Sequence, residues 1–506
     1  MTRSFFPPAR SGRDGLRTCA LFLSSSALLA ACTTFDPTRA ITDAEEMASS
    51  QIGAAADIDI SAQREHLLTE PLSSEAAVAM ALAGNPVIDL ALAGLGMTAA
   101  DAFTASRLAN PQLSLSRLSG SGNERSVALG LDFADLLLRP ARSSLAQEEL
   151  EVARLETAAI MIDLARDTEQ AWLRHVAAEQ TAALFAALAE VADTAAELAI
   201  SLHRAGNLSD LELARKKAAA AEAKTQAARS GAATAATRRD LNRLMGLSGD
   251  DAGRWQTPDR LPLPDGDEPG LNDLLSRSRD DRLDLAAGRL QVSMLESGRD
   301  LEQRWRWLGT VEIDYEWERK RDGSRLRGPG LVLELPLFRQ GQHRTLRAEA
   351  AVIRATAELA LRELEDEHHV RSGHAELAAL REILGTYENV IVPQRAEAVA
   401  RELERYNFML IGAFDLIAAR EQEYRSYADF IAAMRDYWLA RAELAHAVGG
   451  PLPRIATRPA PDLEGVTAPI DDMNHGHHDH HDHHDHHDHD GHHDHHDHGD
   501  QQGDAP

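Results

Sequence analysis

The sequence predicts a mainly α-helical fold carrying a small β part, and three observations lead there. Aromatic residues make up only 5 % of the 506 residues, while Ala, Leu, Glu and Arg fill long stretches. Such a composition suits long packed helices better than a sandwich or an enzyme core. Long segments repeat apolar residues every three and four positions, whereas four short segments alternate with period two. The formal charge of -27 argues against nucleic-acid binding.

The first element is a signal peptide over residues 1–31. Arg3, Arg10, Arg13 and Arg17 precede the apolar run "ALFLSSSALLA", which is too short to span a bilayer as an ordinary helix. It ends in "LAAC", which resembles a bacterial lipobox. The resemblance implies cleavage before Cys32 and lipidation of its sulfur, and Thr33 in place of Asp implies sorting to the outer membrane. Cys19 leaves with the signal peptide, so Cys32 remains alone and no intramolecular disulfide forms. Residues 32–70 read as a linker from the lipid anchor.

The β part follows in two hairpins, over residues 111–134 and 309–338. In the first, Leu113 and Leu115 alternate with Gln112, Ser114 and Ser116. Val127, Leu129, Leu131 and Phe133 alternate with Ser126, Ala128, Gly130 and Asp132. In the second, Val311, Ile313, Tyr315 and Trp317 alternate with Glu312, Asp314, Glu316 and Glu318. Leu331, Leu333, Leu335 and Leu337 alternate with Gly330, Val332, Glu334 and Pro336. The loops "SGSGNE" and "KRDGSR" join the pairs. With their flanks, these strands have the roughly 9–11 residues that a tilted bilayer crossing needs. Beyond the signal peptide no run of 18 apolar residues exists, so a spanning region, if any, must be a β-barrel. Its apolar face would meet lipid. Its other face, with Asp132, Glu312, Asp314, Glu316, Glu318 and Glu334, would line a water-filled lumen and bias it toward cations.

The helices between and after the hairpins carry a 3.5-residue repeat. Leu184, Leu188, Val191, Ala195, Leu198 and Leu202 form one stripe, and Tyr424, Tyr427, Ile431, Met434 and Trp438 another. This predicts coiled-coil-like packing, with Ala-rich runs letting neighbours approach closely. From the first hairpin to Gly206 the helix would reach roughly 100 Å. Near Gly206 the chain turns back, in "HRAGNLSDLELA". The stretch "YNFMLIGAFDLIA" matches it without gaps 203 positions later. His203 aligns with Tyr406, Gly206 with Met409, Ser209 with Gly412 and Glu212 with Asp415. The chain is thus a duplication, with one repeat over 71–250 and the other over 251–450.

These residues resemble the TolC-type outer-membrane efflux proteins. "PLSSEAAVAMALAGNPVIDLA" is similar to that family's opening helix with its Asn-Pro break, "LANPQLSLS" to the entry of its first strand, and "LELPLFRQGQHRTLRAEA" to its return from the second hairpin into helix. The resemblance spans about residues 70–450 and implies a TolC-like homotrimer. In it, four strands per chain close a 12-stranded β-barrel on a long periplasmic α-helical coiled-coil barrel. It also implies partners: a periplasmic adaptor (membrane fusion) protein, an inner-membrane resistance-nodulation-division pump and outer-membrane lipid. By match, the adaptor-facing tip comprises His203, Gly206, Ser209 and Glu212 with Tyr406, Met409, Gly412 and Asp415. Two features depart from the family. Met409 stands where the second turn usually has Gly. Leu208 and Ile411 stand where some members carry an Arg that latches the tip.

No motif in the chain resembles an enzyme site, and no cofactor is required. Glu365 and His368 form a Glu-x-x-His pair, but the other half has no second copy, so with His374 they read as a solvated helix face. Helical periodicity stops after residue 450. Residues 451–470 read as a Pro-rich linker, and 471–506 as a disordered tail. That tail holds His475, His477, His478, His480, His481, His483, His484, His486, His487, His489, His492, His493, His495, His496 and His498 among Asp residues. Imidazole and carboxylate suit divalent Zn, Cu, Ni or Co. The expectation is therefore a lipid-anchored outer-membrane channel of a tripartite efflux system for heavy-metal cations (copper, zinc, cobalt, nickel or cadmium). The alternatives are a channel for organic compounds with the tail as metal buffer, and a pore-less periplasmic metal-storage lipoprotein.

Overall fold

The structure is a computed structural model and describes residues 37–60, 65, 68–119, 124–338 and 340–460. The signal peptide, Cys32 and the entire tail from residue 461 lie outside the described residues.

Helices α1 (Thr38–Ile52), α2 (Ser74–Gly84) and α3 (Pro86–Ala105) come first. The Asn85-Pro86 break has a local cause. Asn85 caps α3 by accepting from the Val87 amide at 3.0 Å, and Pro86 fills the first turn, where its missing N–H costs nothing. The Asn85 amide also donates to the Leu244 carbonyl at 2.8 Å, tying the break to the end of the first repeat. Helix α3, although Asp89 and Asp101 interrupt its apolar run, is long and apolar enough by length and composition to cross a membrane, contrary to the expectation that only strands could. Its Leu95 and Ala99 pack on Ala40 and Ala44 of α1. The stretch 38–52 is therefore a packed helix and not part of a linker.

Strands β1 (Gln112–Leu118) and β2 (Glu124–Asp132) lead into α4 (Phe133–Arg204), a helix of 72 residues. At 1.5 Å per residue it is about 108 Å long. Phe133 belongs to the first turn of α4 and not to the strand, because the Asp132 carboxylate caps the helix there, accepting from the Asp135 amide at 3.1 Å. Helix α5 (Asp210–Leu244) returns along α4. Ala192, Ala196 and Ala220 form the seam between the two, and Lys224 pairs with Asp193 at 2.7 Å.

The second repeat runs through β3 (Leu263–Asp265), α6 (Leu271–Asp281), α7 (Leu283–Trp305), β4 (Val311–Arg319), β5 (Arg325–Leu333), α8 (Gln342–Thr386), α9 (Val392–Asn407) and α10 (Ala413–Ala447). Strand β5 starts five residues before Gly330, where the alternation was expected to begin, and it ends at Leu333. Helices α8 and α9 are joined by a wide turn over Tyr387–Ile391, one residue before Val392-Pro393, where the proline ring cannot follow a regular helix. The stretch 451–460 is not a free linker: its strand β6 (Ala456–Arg458) pairs antiparallel with β3.

Both hairpins join one antiparallel sheet in the order β1-β2-β4-β5. Strands β1 and β5 are its edges. Both heptad stripes are largely inward, with Val191, Leu198, Leu202 and Trp438 half-buried. Leu184, Leu188 and Ala195 on α4 and Tyr424, Tyr427, Ile431 and Met434 on α10 are buried. Close to the duplication boundary, Trp255 is fully buried between the Arg238 guanidinium, 3.9 Å from its ring, and the edge of His175.

Candidate functional site

Two regions carry the residues that the sequence singled out, and a third appears only in the structure. The sheet is the first. Its register places Leu113, Leu129, Tyr315 and Pro329 side by side, with Leu131, Ile313 and Leu331 in the next row down. These side chains point into open space: Leu115 is 72 % and Leu331 61 % exposed. Tyr315 and Trp317 lie on the same face with ring centroids 4.5 Å apart. An exposed, contiguous apolar sheet face on a water-soluble surface would be an association liability.

The opposite face holds the acids. Glu312, Asp314, Glu316 and Glu318 project from β4 at every second residue, and the middle two are flanked by small neighbours. Asp314 lies between Gly130 and Gly330, Glu316 between Ala128 and Gly328, and Glu318 beside Ser126. The glycines leave room for the carboxylates. A Cβ on Gly130 would meet the Glu312 carboxylate at 2.7 Å, and one on Gly330 would collide with that of Asp314. Glu334 is anchored differently: Thr310 donates both its amide and its hydroxyl to the Glu334 carboxylate, each at 3.2 Å. Asp132 faces Glu312 across the ladder, but its carboxylate is occupied as the α4 cap. The structure thus brings together five of the six predicted acids as exposed or half-exposed groups and gives the sixth a helix-capping role.

The tip is the second region. At the first turn Gly206 has φ +78°, the Asn207 amide donates to Leu202 at 2.9 Å, and Ser209 caps α5 through the Glu212 amide. His203 reaches Leu208 through Nδ1 at 3.0 Å and Asp210 through Nε2 at 3.4 Å. The second turn repeats this geometry position by position. Met409 has φ +56°, the Leu410 amide donates to Arg405 at 2.9 Å, and Gly412 starts α10, with its amide donating to Asp415 at 3.1 Å. The 203-residue offset is thus a backbone equivalence. Met409 takes the left-handed conformation natural to Gly206, where a side chain is strained. Its side chain and those of Phe408 and Leu410 stand in the open, Met409 being 92 % exposed.

The third region was not visible in the sequence. Where α4, α7, α8 and α10 meet, Arg282 pairs with Asp284 at 2.6 Å and with Asp366, and Ser278 donates to Asp366 at 3.3 Å. His446 reaches Asp163 at 2.7 Å and Arg166 at 3.3 Å. The hydrogen bond from His446 holds the Asp163 carboxyl below its ordinary value. Burial pushes Asp366 up, with Arg282 pulling against it. Nearby on α4, burial and the facing Glu75 carboxylate push Glu169 up. Glu365 and His368 are exposed on α8. Among the described residues no group of three or more His, Cys, Asp or Glu is arranged to hold a metal ion. The tail histidines, His475 to His498, lie outside the described residues, as does the lipidation position Cys32.

No protein-family model matches the chain, and no curated protein matches it. Solved structures do. The chain is similar to the Campylobacter jejuni CmeC outer membrane channel at 15 % identity and a TM-score of 0.66, covering 78 % of this chain and 89 % of that one. It is similar to the outer membrane protein VceC of Vibrio cholerae at 18 % identity and a TM-score of 0.61, covering 75 % and 96 %. It is also similar to the open state of the Neisseria gonorrhoeae MtrE outer membrane channel at 16 % identity and a TM-score of 0.61, covering 74 % and 88 %. The chain therefore has the fold of these channel subunits: a small sheet on a long helical column. Within one chain the sheet remains open.

Proposed function

We propose that this protein is the outer-membrane channel of a tripartite efflux system exporting heavy-metal cations, and that it performs no covalent chemistry. One observation carries the channel reading. A single antiparallel sheet, apolar and exposed on one face and acidic on the other, ends in two unpaired edges at β1 and β5. Open edges with an apolar face are unstable alone in water or lipid. Three copies joined edge to edge close a barrel of twelve strands, with the apolar rows in lipid and the acids of β4 around a wet lumen. The helical column then crosses the periplasm. The exposed Phe408, Met409 and Leu410 at its tip, beside the first-turn residues, give a periplasmic adaptor an apolar contact, and an inner-membrane pump energises the assembly.

The metal reading rests on the alternating His and Asp of residues 471–506 and on the negative lumen. The tail's donors fit Zn, Cu, Ni or Co as cargo or buffered ion, and Cys32 anchors the mature chain to the outer membrane.

Purified protein reconstituted in planar bilayers should give discrete conductance steps, and cross-linking should trap trimers. A monomer without conductance removes the channel reading. Deletion of residues 471–506, and separately of the whole gene, should each lower tolerance to at least one of these metals. Unchanged metal tolerance with lost drug tolerance transfers the cargo to organic compounds.

A further inference from the structure

The apolar face of the sheet ends in cations. At the hairpin-turn end, farthest from the helices, the register aligns Arg117 with Arg125, Arg125 with Arg319, and Arg319 with Arg325. One row below, Arg327 sits beside Trp317, which sits beside Val127. The parity of each strand puts all five arginines on the same face as Leu115, Tyr315 and Leu331. All five are exposed, and none of their side chains makes a hydrogen bond or ion pair with another described residue. That face bears no acidic residue on any of its four strands. Beyond it the second turn adds Lys320 and Arg321, and its Asp322 is taken up by Ser324.

Adjacent strands lie about 4.8 Å apart, so four arginines stem from one line across the sheet at about that backbone spacing. Like charges directly opposite one another weaken a sheet. A row of them on a lipid-facing surface calls for an anionic partner at that depth, and guanidinium is the side chain best shaped to grip phosphate through two parallel hydrogen bonds. The Tyr315 and Trp317 pair just below marks the level where amphipathic rings meet the headgroup region.

We propose that this row binds the phosphate groups of the anionic glycolipid in the outer leaflet and so fixes the depth and tilt of the barrel. The inference rests on the channel reading, which puts this face in lipid and the turns outward. On closure by three copies the row becomes a ring of twelve arginines, with Arg327 and its counterparts beneath it.

The test uses the full-length trimer. Native mass spectrometry would count retained diphosphoryl glycolipid, and refolding rates would be compared in vesicles containing diphosphoryl or fully dephosphorylated glycolipid. The wild type should retain the phosphorylated lipid and insert about tenfold faster, or more, into vesicles that contain it. The combined R117Q, R125Q, R319Q and R325Q variant should lose that preference, while Lys at the same four positions should keep most of it. Equal insertion of the wild type into both vesicle types overturns the proposal, as does full preference in the Gln variant. If pores still conduct in either case, the lipid inference fails and the channel stands. If no lipid supports trimers or conductance, both fail.

Discussion

Met409 shows most clearly what a single residue can disclose. It adopts φ +56° with its side chain in the open, at the position where the first repeat has Gly206. The left-handed region costs a side-chain-bearing residue about 1–2 kcal/mol, so Met409→Gly should stabilise the second turn by about 1 kcal/mol after the flexibility of glycine is counted. Slower hydrogen exchange over residues 404–412 in the native protein would register this. Faster exchange would mean that contacts of the Met side chain outweigh the strain. Gly206→Ala should loosen the first turn by a similar amount. Glu169 gives a second test. Burial and Glu75 raise its pKa above 4.5 in the folded state, so the folded chain holds this proton more tightly than the unfolded chain does. Stability is then lost as pH rises from the unfolded value through the raised folded one, and the loss is complete above it. Glu169→Gln should therefore raise the thermal midpoint at neutral pH, and the gain should vanish below about pH 4.5. A gain that persists in acid would assign the effect to packing instead.

At the scale of elements, alternation decides the outcome. Leu129 and Ala128 are neighbours in β2 on opposite faces. On the channel reading, an Arg at position 129 would sit near the middle of the bilayer and cost about 2–4 kcal/mol, whereas an Arg at 128 would face the carboxylates and be tolerated. The fraction of chain that reaches the membrane should fall for Leu129→Arg and hold for Ala128→Arg. Equal losses would mean that both faces are wet or both are packed. The same alternation explains what the sequence made legible. Strands β1, β2 and β4 have apolar outer residues over most of their length, so period two was visible in them. Strand β5 opens with Arg325 and Arg327 on that face, and this broke the hydropathic pattern and hid its first half. Helix α1 went unread because its buried residues are Ala40, Ala44 and Ala48, too small to signal a core stripe. The ion cluster of Arg282, Asp284, Asp366, Asp163 and His446 was unreadable for another reason. Its partners lie up to 283 residues apart and no local spacing encodes them. The tip was legible to the residue because both turns need the same backbone in the same order.

For the whole molecule, the question is whether the acids of β4 govern what passes. In one chain they form a single line on the inner face, widened by Gly130, Gly328 and Gly330. In the proposed trimer, threefold closure would repeat that line around one lumen, so twelve carboxylates from β4 alone would share the space, with those of Glu334 below. Carboxylate rings draw cations and repel anions even where the pore is too wide to strip hydration, and salt screens this field within about 8 Å at physiological ionic strength. The effect should therefore be strong in dilute salt and weak in concentrated salt. Replacing Glu312, Asp314, Glu316 and Glu318 by their amides preserves size and strand pairing while removing the charge. Under a potassium chloride gradient the wild-type channel should show a reversal potential of cation-selective sign, and the amide variant a potential much closer to zero with little change in single-channel conductance. A reversal potential that the substitution leaves unmoved would place the selective constriction elsewhere, and Asp210, Glu212 and Asp415 at the proposed tip become the residues to neutralise next.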